Sequence, residues 1–264
     1  MHQRDEEIAR ILVETKTAHG FPEKFRTCFG KNADERIYGI AKKLHDADME
    51  KGITLASQSN DPQVLKNIQR QNIKMESYRA LQVKFNEANV PVYSELILGM
   101  PGETLDTWKA GIETLLKAGL KNQLFIYLCQ VLPNTEMAEA GYQKKFGIVT
   151  RRIELNEIHG RVRNAAITTE YEDIIVTTDA MPLAMWREMV VFSWWTMVLH
   201  SMKVAYFVLK DRRSGSYVDI ITRIMNAETP IIANERREFN SQIDKLLSGQ
   251  GRGRIMAGYG NIYW

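Results

Sequence analysis

The sequence predicts an α/β protein, with a partial (β/α) TIM-like barrel of about four parallel strands and a mostly helical C-terminal subdomain. Short apolar runs alternate with helical patterns through the first part of the chain, which is typical of a parallel sheet with helices packed outside it. After about Thr150 this alternation stops and helical periodicity dominates. We therefore predict a partial barrel over residues 1–150 and a helical subdomain with a glycine-rich tail over residues 151–264.

The elements of the first part follow from apolar periodicity and its stop signals. In chain order they are a helix over Arg4–His19, a strand over Phe25–Phe29, a helix over Ala33–Lys51, a strand over Ile53–Gln58, helices over Gln63–Gln69 and Glu76–Asn89, a strand over Val90–Leu98, a helix over Leu105–Ala118, a strand over Leu124–Gln130 and a helix near Glu136–Lys144. The strands are near-continuous apolar runs, as expected when both faces of a sheet are buried. Asp61 and Pro62 provide an N-cap and a first helical residue.

The second part has one strand candidate and long helical stretches. The strand is Ile174–Thr178, and the helices are Leu183–Leu209, Tyr217–Ala227 and Thr229–Leu247. Within them, Met189–Leu209 is long enough to span a bilayer. It carries His200 and Lys203 towards its middle, where charge is costly, so a buried or interface helix is favoured over a membrane span.

Composition and charge exclude several classes. Apolar residues make up 44% of the chain, charged residues 25%, and the formal net charge of +3 is too small to argue for nucleic acid or an anionic membrane as partner. The tail Gly249–Trp264 contains arginines and aromatic residues that could bind single-stranded nucleic acid. A flexible tail, or one that docks on another surface, is favoured. The first residues have no apolar core of a signal peptide, so we expect a cytoplasmic protein.

The cysteines and histidines predict no metal site. Cys28 and Cys129 both lie in apolar runs, which favours buried inert thiols over a redox pair. The five histidines are scattered without metal-ligand spacing. Only His159, between Glu157 and Arg161, has polar neighbours of interest, and a surface or subdomain-contact role is favoured for it.

Polar residues at two strand ends are the candidate binding site. Gln58 ends one strand and Glu95 lies on the next, sharing a face with Ile97 and Gly99 because strand residues alternate. Arg70 lies between the two strands in sequence and could offer a fork to a carboxylate. An amide, a cation and an anion together suit a zwitterionic ligand with hydroxyls, such as an amino acid joined to a ribose. A purely structural Arg70–Glu95 salt bridge is the alternative.

The turn after the second strand strengthens this interpretation. Gly99 and Gly102 flank Met100 and Pro101, and glycine lets a backbone approach a ligand closely or take positive φ. A phosphate-binding loop, a dinucleotide fingerprint and a nucleophile elbow have no matching motif in the sequence. An unrelated α/β-barrel enzyme using Glu95 as acid or base stays a weaker alternative, since no second catalytic group stands out.

These motifs resemble the radical S-adenosylmethionine (radical SAM) superfamily, and most closely its cobalamin-binding members. The likeness is carried by ITLASQSND (residues 53–61), Arg70 and SELILGMPGET (residues 94–104), with the Lys31–Asn32 turn and YLCQVLPNT (residues 127–135) inside its span from Arg4 to Ile148. The resemblance implies a partial barrel that holds SAM at its strand ends. It implies that Gln58 and Glu95 contact the ribose and methionyl portion and that Arg70 contacts the methionine carboxylate. It assigns the Leu96–Gly99 strand end, with Ile97 and Gly99, to the adenine.

One expected motif is missing from this chain. The resemblance implies a [4Fe–4S] cluster on a Cys-x₃-Cys-x₂-Cys loop and an upstream cobalamin domain, and the sequence contains neither. The chain thus resembles the C-terminal part of such an enzyme, whether a fragment, a truncated reading frame or half of a split protein. We expect it to supply SAM-binding residues and a substrate cap for a radical methylation or related reaction on a small molecule, and to be inactive alone. The cluster and cobalamin would come from an N-terminal half or a partner chain. A non-catalytic SAM-binding or partner subunit is the alternative.

Overall fold

A computed structural model describes residues 3–25, 27, 35–50, 52–155, 168–211 and 215–251. The helices are α1 (Gln3–His19), α2 (Glu35–Asp46), α3 (Pro62–Asn67), α4 (Met75–Glu87), α5 (Leu105–Lys117), α6 (Ala140–Phe146), α7 (Leu183–Thr196), α8 (Tyr206–Lys210), α9 (Tyr217–Met225) and α10 (Pro230–Leu247). The strands are β1 (Ile53–Gln58), β2 (Val92–Leu98), β3 (Leu124–Leu128), β4 (Val149–Glu154) and β5 (Tyr171–Thr177). A 3₁₀ turn covers Glu136–Ala138 and a π-helical turn covers Met197–Ser201.

The predicted parallel sheet is confirmed for three of its strands. Strands β1, β2 and β3 pair in that order, both pairs parallel, with Ala56 opposite Glu95 and Glu95 opposite Phe125. The fourth predicted strand, Phe25–Phe29, lies mostly outside the described residues. Phe25 itself is not in a strand, and its N–H donates to the Met49 carbonyl at 2.8 Å. The parallel sheet of the described residues is open.

The two faces of this sheet differ, and the expectation of burial on both faces is wrong for one of them. Along each strand, buried residues alternate with residues that keep part of their surface exposed. The buried face carries Ile53, Leu55, Ser57, Val92, Ser94, Leu96, Leu98, Leu124, Ile126 and Leu128. The other face carries Thr54, Ala56, Gln58, Tyr93, Glu95, Ile97, Phe125 and Tyr127, and we call it the open face. The apolar runs did not separate the two faces because Ala, Tyr, Ile and Phe occur on both kinds of surface.

Helices enclose the rest of the core. Helix α5 packs against α7 and α9, and α10 packs against α7, α9 and β4. Trp108 of α5 is buried and donates its indole N–H to Ser193 Oγ of α7 at 3.0 Å. Helices α1 and α2 pack on each other through a small separate cluster of Ala9, Ile40, Leu44 and Met49. A single large cluster otherwise joins the sheet to the C-terminal helices.

A second, antiparallel sheet continues from the end of β3. The predicted strand Ile174–Thr178 is confirmed as β5, which pairs with β4. Strand β4 was not predicted, because its sequence VTRRIE (residues 149–154) is largely polar and only Ile153 is buried. Beyond β3, Cys129 N–H donates to the Leu98 carbonyl at 2.8 Å, and Ile175 N–H donates to the Cys129 carbonyl at 2.9 Å. The boundary predicted near residue 150 falls within β4, and the division into two domains stays a prediction.

Three predicted helices differ in extent. Leu183–Leu209 is interrupted, because the π-helical turn is followed by Lys203 at φ +66° and a new start at Tyr206. The Glu136–Lys144 helix is divided into the 3₁₀ turn and α6. The Ala33–Lys51 helix ends at Asp46, because Asp48 at φ +50° turns the chain before the glycine stop at Gly52.

The long apolar segment begins in a buried helix, as favoured from the sequence, whereas Met202, Val204 and Phe207 later in it are exposed. Most of α7 is buried on all sides, including Trp186, Phe192 and Trp195. Across the part of the chain that the structure describes, none of the helices combines the length and apolar character that crossing a bilayer requires.

Candidate functional site

Gln58 lies at the carboxyl end of β1 in an unusual backbone conformation. The parallel register with β2 shifts between Ala56 and Gln58, and Gln58 has φ +58°, which is uncommon outside glycine. Its side-chain oxygen, Oε1, is buried and receives no hydrogen bond from the described residues. An acceptor without a donor is costly inside a protein, so this atom marks a place where a ligand donor or water would be favourable.

Arg70 lies just after α3 and is held there by its backbone. Its N–H donates to the Leu65 carbonyl at 2.9 Å, while its side chain is exposed. Within the described residues the Arg70 guanidinium forms no hydrogen bond or ion pair, so the structural Arg70–Glu95 salt bridge is not formed. A guanidinium has five N–H donors, and none of those of Arg70 is taken up by another described residue.

A pocket of about 440 Å³ joins these residues at the carboxyl ends of the strands. It is lined by Gln58, Ile68, Arg70, Ile97, Met100, Tyr127, Leu128, Cys129, Gln130, Leu132, Thr135, Glu136, Met137 and Tyr142. Three of the five predicted site residues, Gln58, Arg70 and Ile97, are therefore brought together. Glu95 lies on the open face of β2, below Ile97, and is not among the lining residues.

The two glycines of the turn after β2 serve packing between chain segments. Gly99 and Gly102 have φ +102° and +93°, the positive values predicted. A Cβ on Gly99 would lie 3.2 Å from the Ile175 carbonyl oxygen and 3.8 Å from Trp186 Nε1. A Cβ on Gly102 would lie 2.5 Å from Asn67 Nδ2. Gly99 thus gives room to β5 and α7, and it does not line the pocket.

The third strand end supplies pocket residues that the sequence reasoning missed. Tyr127 and Gln130 come from the end of β3, and Glu136 and Tyr142 follow on the 3₁₀ turn and α6. Tyr142 hydroxyl donates to the Asn67 carbonyl at 2.9 Å. The signal was present, because a third strand end must meet the other two at the same edge of a parallel sheet.

Charge in the pocket suits a zwitterion. Arg70 provides a cation and Glu136 a carboxylate on the same lining, and Gln69 Nε2 donates to Glu136 Oε2 at 2.9 Å. Burial raises the pKa of the Cys129 thiol to about 12, so it is a neutral wall residue, as predicted for a buried thiol. Cys28 and His159, with the Lys31–Asn32 turn and the tail after residue 251, lie outside the described residues.

The described residues offer no ligand set for a metal. No group of three His, Cys, Asp or Glu side chains converges among them. His200 is buried on the π-helical turn, where its Nε2 lies 3.0 Å from the Asn122 carbonyl oxygen, and burial lowers its pKa to about 3. It therefore stays neutral and packs the opposite end of the sheet from the pocket, near the start of β3.

The structure is thus that of an α/β protein with a parallel sheet and a pocket beyond the carboxyl ends of its strands. The chain is 37% identical over 200 residues to the cobalamin-dependent radical SAM methyltransferase TokK of Streptomyces tokunonensis, covering 75% of this chain and 29% of that protein. It is 37% identical over 185 residues to the 2-(S-pantetheinyl)-carbapenam-3-carboxylate methyltransferase of Streptantibioticus cattleyicolor, covering 69% of this chain and 27% of that protein. This chain is homologous to part of the cobalamin-type radical SAM methyltransferases, which confirms the resemblance inferred from the sequence.

Two further findings complete the comparison. The radical SAM methyltransferase TsrM of Kitasatospora setae, solved with tryptophan and a SAM analogue, has a TM-score of 0.41 and 18% identity, over 50% of this chain and 26% of that one. No family model matches the chain. The chain spans less than a third of the length of the curated relatives it matches.

Proposed function

We propose that this chain contributes the SAM-binding pocket to a cobalamin-dependent radical SAM methyltransferase. One observation carries the proposal: the Arg70 guanidinium and Gln58 Oε1, neither of which has a hydrogen-bond partner among the described residues, line one pocket at the strand ends. A guanidinium fork suits a carboxylate, and a free amide oxygen suits hydroxyl or ammonium donors. SAM carries a carboxylate, an ammonium group and ribose hydroxyls. Homology to the cobalamin-dependent radical SAM methyltransferase TokK supports the same ligand.

The pocket supports the proposed contacts unequally. Arg70 is assigned to the methionine carboxylate, Gln58 to the ribose and methionyl portion, and Ile97 to the adenine, because these three line the pocket. The pocket gives less support to the proposed contacts of Glu95 with the ribose and methionyl portion and of Gly99 with the adenine, because neither residue lines it. When bound, SAM supplies a transferable methyl group or, after reductive cleavage, a 5′-deoxyadenosyl radical. The residues of this chain bind and orient it, and apolar neighbours such as Ile68 and Leu128 limit access of water.

The residues described here do not fit a [4Fe–4S] cluster. Such a cluster needs several cysteine thiolates, and Cys129 is a single buried thiol kept neutral by its surroundings. We therefore assign the cluster and cobalamin to an N-terminal region or a partner chain. The same region would add strands to the open sheet and complete the partial barrel. A methyl acceptor of small-molecule size would lie under the C-terminal helices, and a cytoplasmic location stays a prediction.

Arg70→Ala is expected to weaken SAM binding by about 10- to 100-fold, because a charge-assisted hydrogen-bonded pair contributes about 1.5–3 kcal/mol. Isothermal titration of the purified chain with SAM measures this. Arg79→Ala is the matched control, since Arg79 is an exposed arginine on α4 away from the pocket. Equal affinity of Arg70→Ala and wild type would contradict the assignment, and Glu95→Ala tests the less direct contact in the same experiment.

The purified chain alone is expected to form no 5′-deoxyadenosine from SAM. The reason is the missing set of cluster ligands, because the cofactor carries the difficult chemistry and the protein positions it. The measurement is chromatography of the reaction products after anaerobic iron–sulfur reconstitution and addition of a reductant. Formation of 5′-deoxyadenosine by the chain alone would contradict the proposal that the cluster is held by another region or chain.

A second candidate is a non-catalytic SAM-binding or partner subunit of a split enzyme. The open face favours it, because a half-exposed sheet face with Tyr93, Phe125 and Tyr127 is a surface that another chain could cover. A neighbouring reading frame that encodes a cobalamin-binding domain and Cys-x₃-Cys-x₂-Cys would support this arrangement. Restoration of SAM cleavage on mixing the two purified chains would then separate a split enzyme from a subunit that only binds SAM.

A further inference from the structure

A buried carboxylate lies between the two loops that carry the pocket residues. Glu103 follows Gly102 directly, precedes the N-cap of α5 at Thr104, and is only 1% exposed. It is not a lining residue of the pocket. Burial of a carboxylate costs free energy unless hydrogen bonds compensate it, so its position needs a reason.

Two hydroxyl groups lie within hydrogen-bond distance of this carboxylate. Glu103 Oε2 lies 3.1 Å from Ser59 Oγ, and Glu103 Oε1 lies 2.9 Å from Thr107 Oγ1. Each hydroxyl oxygen also accepts a backbone N–H, from Asp61 at 3.2 Å for Ser59 and from Thr104 at 2.9 Å for Thr107. The Ser59 proton is thus available for the carboxylate, while the Thr107 hydroxyl has two acceptors in reach, Glu103 Oε1 at 2.9 Å and the Thr104 carbonyl at 3.1 Å.

Ser59 connects this carboxylate to both predicted ligand contacts. It follows Gln58 directly, and its carbonyl accepts a hydrogen bond from Asn72 Nδ2, two residues after Arg70. A parallel link runs from Asn67 Nδ2 to the Pro101 carbonyl at 3.0 Å. The loop after β2 is therefore bonded both to the loop after β1, through Ser59, and to the end of α3, through Asn67.

We propose that Glu103 is a positioning residue, which fixes Gln58 and Arg70 in ligand-binding geometry through its bonds to Ser59 and Thr107 without contacting the ligand. This inference rests on the proposed function for the identity of the ligand. Among the described residues, the charge of Asp61, the N-cap of α3, disfavours ionisation of Glu103, so it does not account for the position of this carboxylate. The hydroxyl bonds hold the carboxylate in place.

The test compares Glu103→Gln and Thr107→Val with Thr107→Ser, which keeps the hydroxyl, and with Asp106→Asn, an exposed acid in the same helical turn. Amide hydrogen exchange of residues 58–72 and 99–107 is measured without ligand. Loss of one hydroxyl–carboxylate hydrogen bond in Glu103→Gln or Thr107→Val is expected to speed amide exchange in these two segments by about tenfold. The Ser and Asn variants are expected to exchange like wild type.

SAM titration of the same variants provides the second readout, with about tenfold weaker binding expected for Glu103→Gln and Thr107→Val and recovery in Thr107→Ser. Exchange that is unchanged in both loops would overturn the inference, and so would faster exchange spread evenly over the whole core. Faster loop exchange with unaltered SAM affinity would overturn it as well. If wild type binds no SAM, the proposed function fails, while the exchange data still decide whether Glu103 orders the loops.

Discussion

Trp108→Ala is expected to lower the free energy of unfolding by about 3–5 kcal/mol, the usual range for removing a buried large aromatic side chain. Trp108 is 2% exposed and joins α5 to α7, so its loss leaves a cavity and deprives Ser193 of a donor. Urea denaturation followed by circular dichroism measures the change. The variant should unfold at a lower urea concentration with the same slope.

Phe207→Ala is the control for this prediction. Phe207 is also a large aromatic residue, but it is 85% exposed, so its truncation is expected to change stability by less than about 0.5 kcal/mol. Ser193→Ala isolates the hydrogen bond and should cost about 1 kcal/mol. A Trp108→Ala variant as stable as Phe207→Ala would mean that α5 and α7 do not share a core.

The free energy of unfolding is expected to fall by roughly 3 kcal/mol as the pH rises from about 4.5 to about 7, through the single group Glu103. Burial raises the pKa of this carboxyl from its usual 4.5 to about 7, against the opposing effect of the Thr107 and Ser59 hydroxyls. The folded state therefore holds the Glu103 proton more strongly than the unfolded state. The stabilisation is complete below the unfolded pKa and is lost as the pH rises through the folded one.

Glu103→Gln should abolish this contribution, because a glutamine does not titrate. The measurement is urea denaturation of wild type and variant at several pH values, and the difference between the two curves isolates Glu103 from all other groups. Asp106→Asn serves as the control, and its free energy of unfolding should change with pH in the same way as that of wild type. Parallel curves for Glu103→Gln and wild type would show that Glu103 titrates normally in the folded protein.

The sequence was most informative where local signals define an element and its ends. Strands β1, β2 and β3 and helices α5 and α10 lie close to their predicted positions, because apolar runs, caps and glycine stops act locally. The interruption after α7 could not be predicted locally. It depends on tertiary bonds, from His200 to the Asn122 carbonyl and from Leu124 N–H to Ser201 Oγ.

In the candidate site, too, some residues could be predicted from local sequence and others depend on tertiary structure. Gln58 and Arg70 were found because polar residues at strand ends of a parallel sheet converge. Glu136 and Tyr142 were missed because their approach depends on how the chain turns after β3. Gly99 was identified for its positive φ, but only the structure shows that β5 and α7 occupy the space beside it.

That neighbourhood of Gly99 has a consequence for the order in which the chain matures on the ribosome. Ile175 and Trp186, which lie against Gly99, are synthesised well after the three parallel strands. A nascent chain that ends before them presents Cys129 and the end of β2 without their packing partners and without the Ile175 N–H bond to Cys129. The wall of the pocket at Cys129 therefore acquires these packing partners only late in translation, after β1, β2 and β3 have been synthesised.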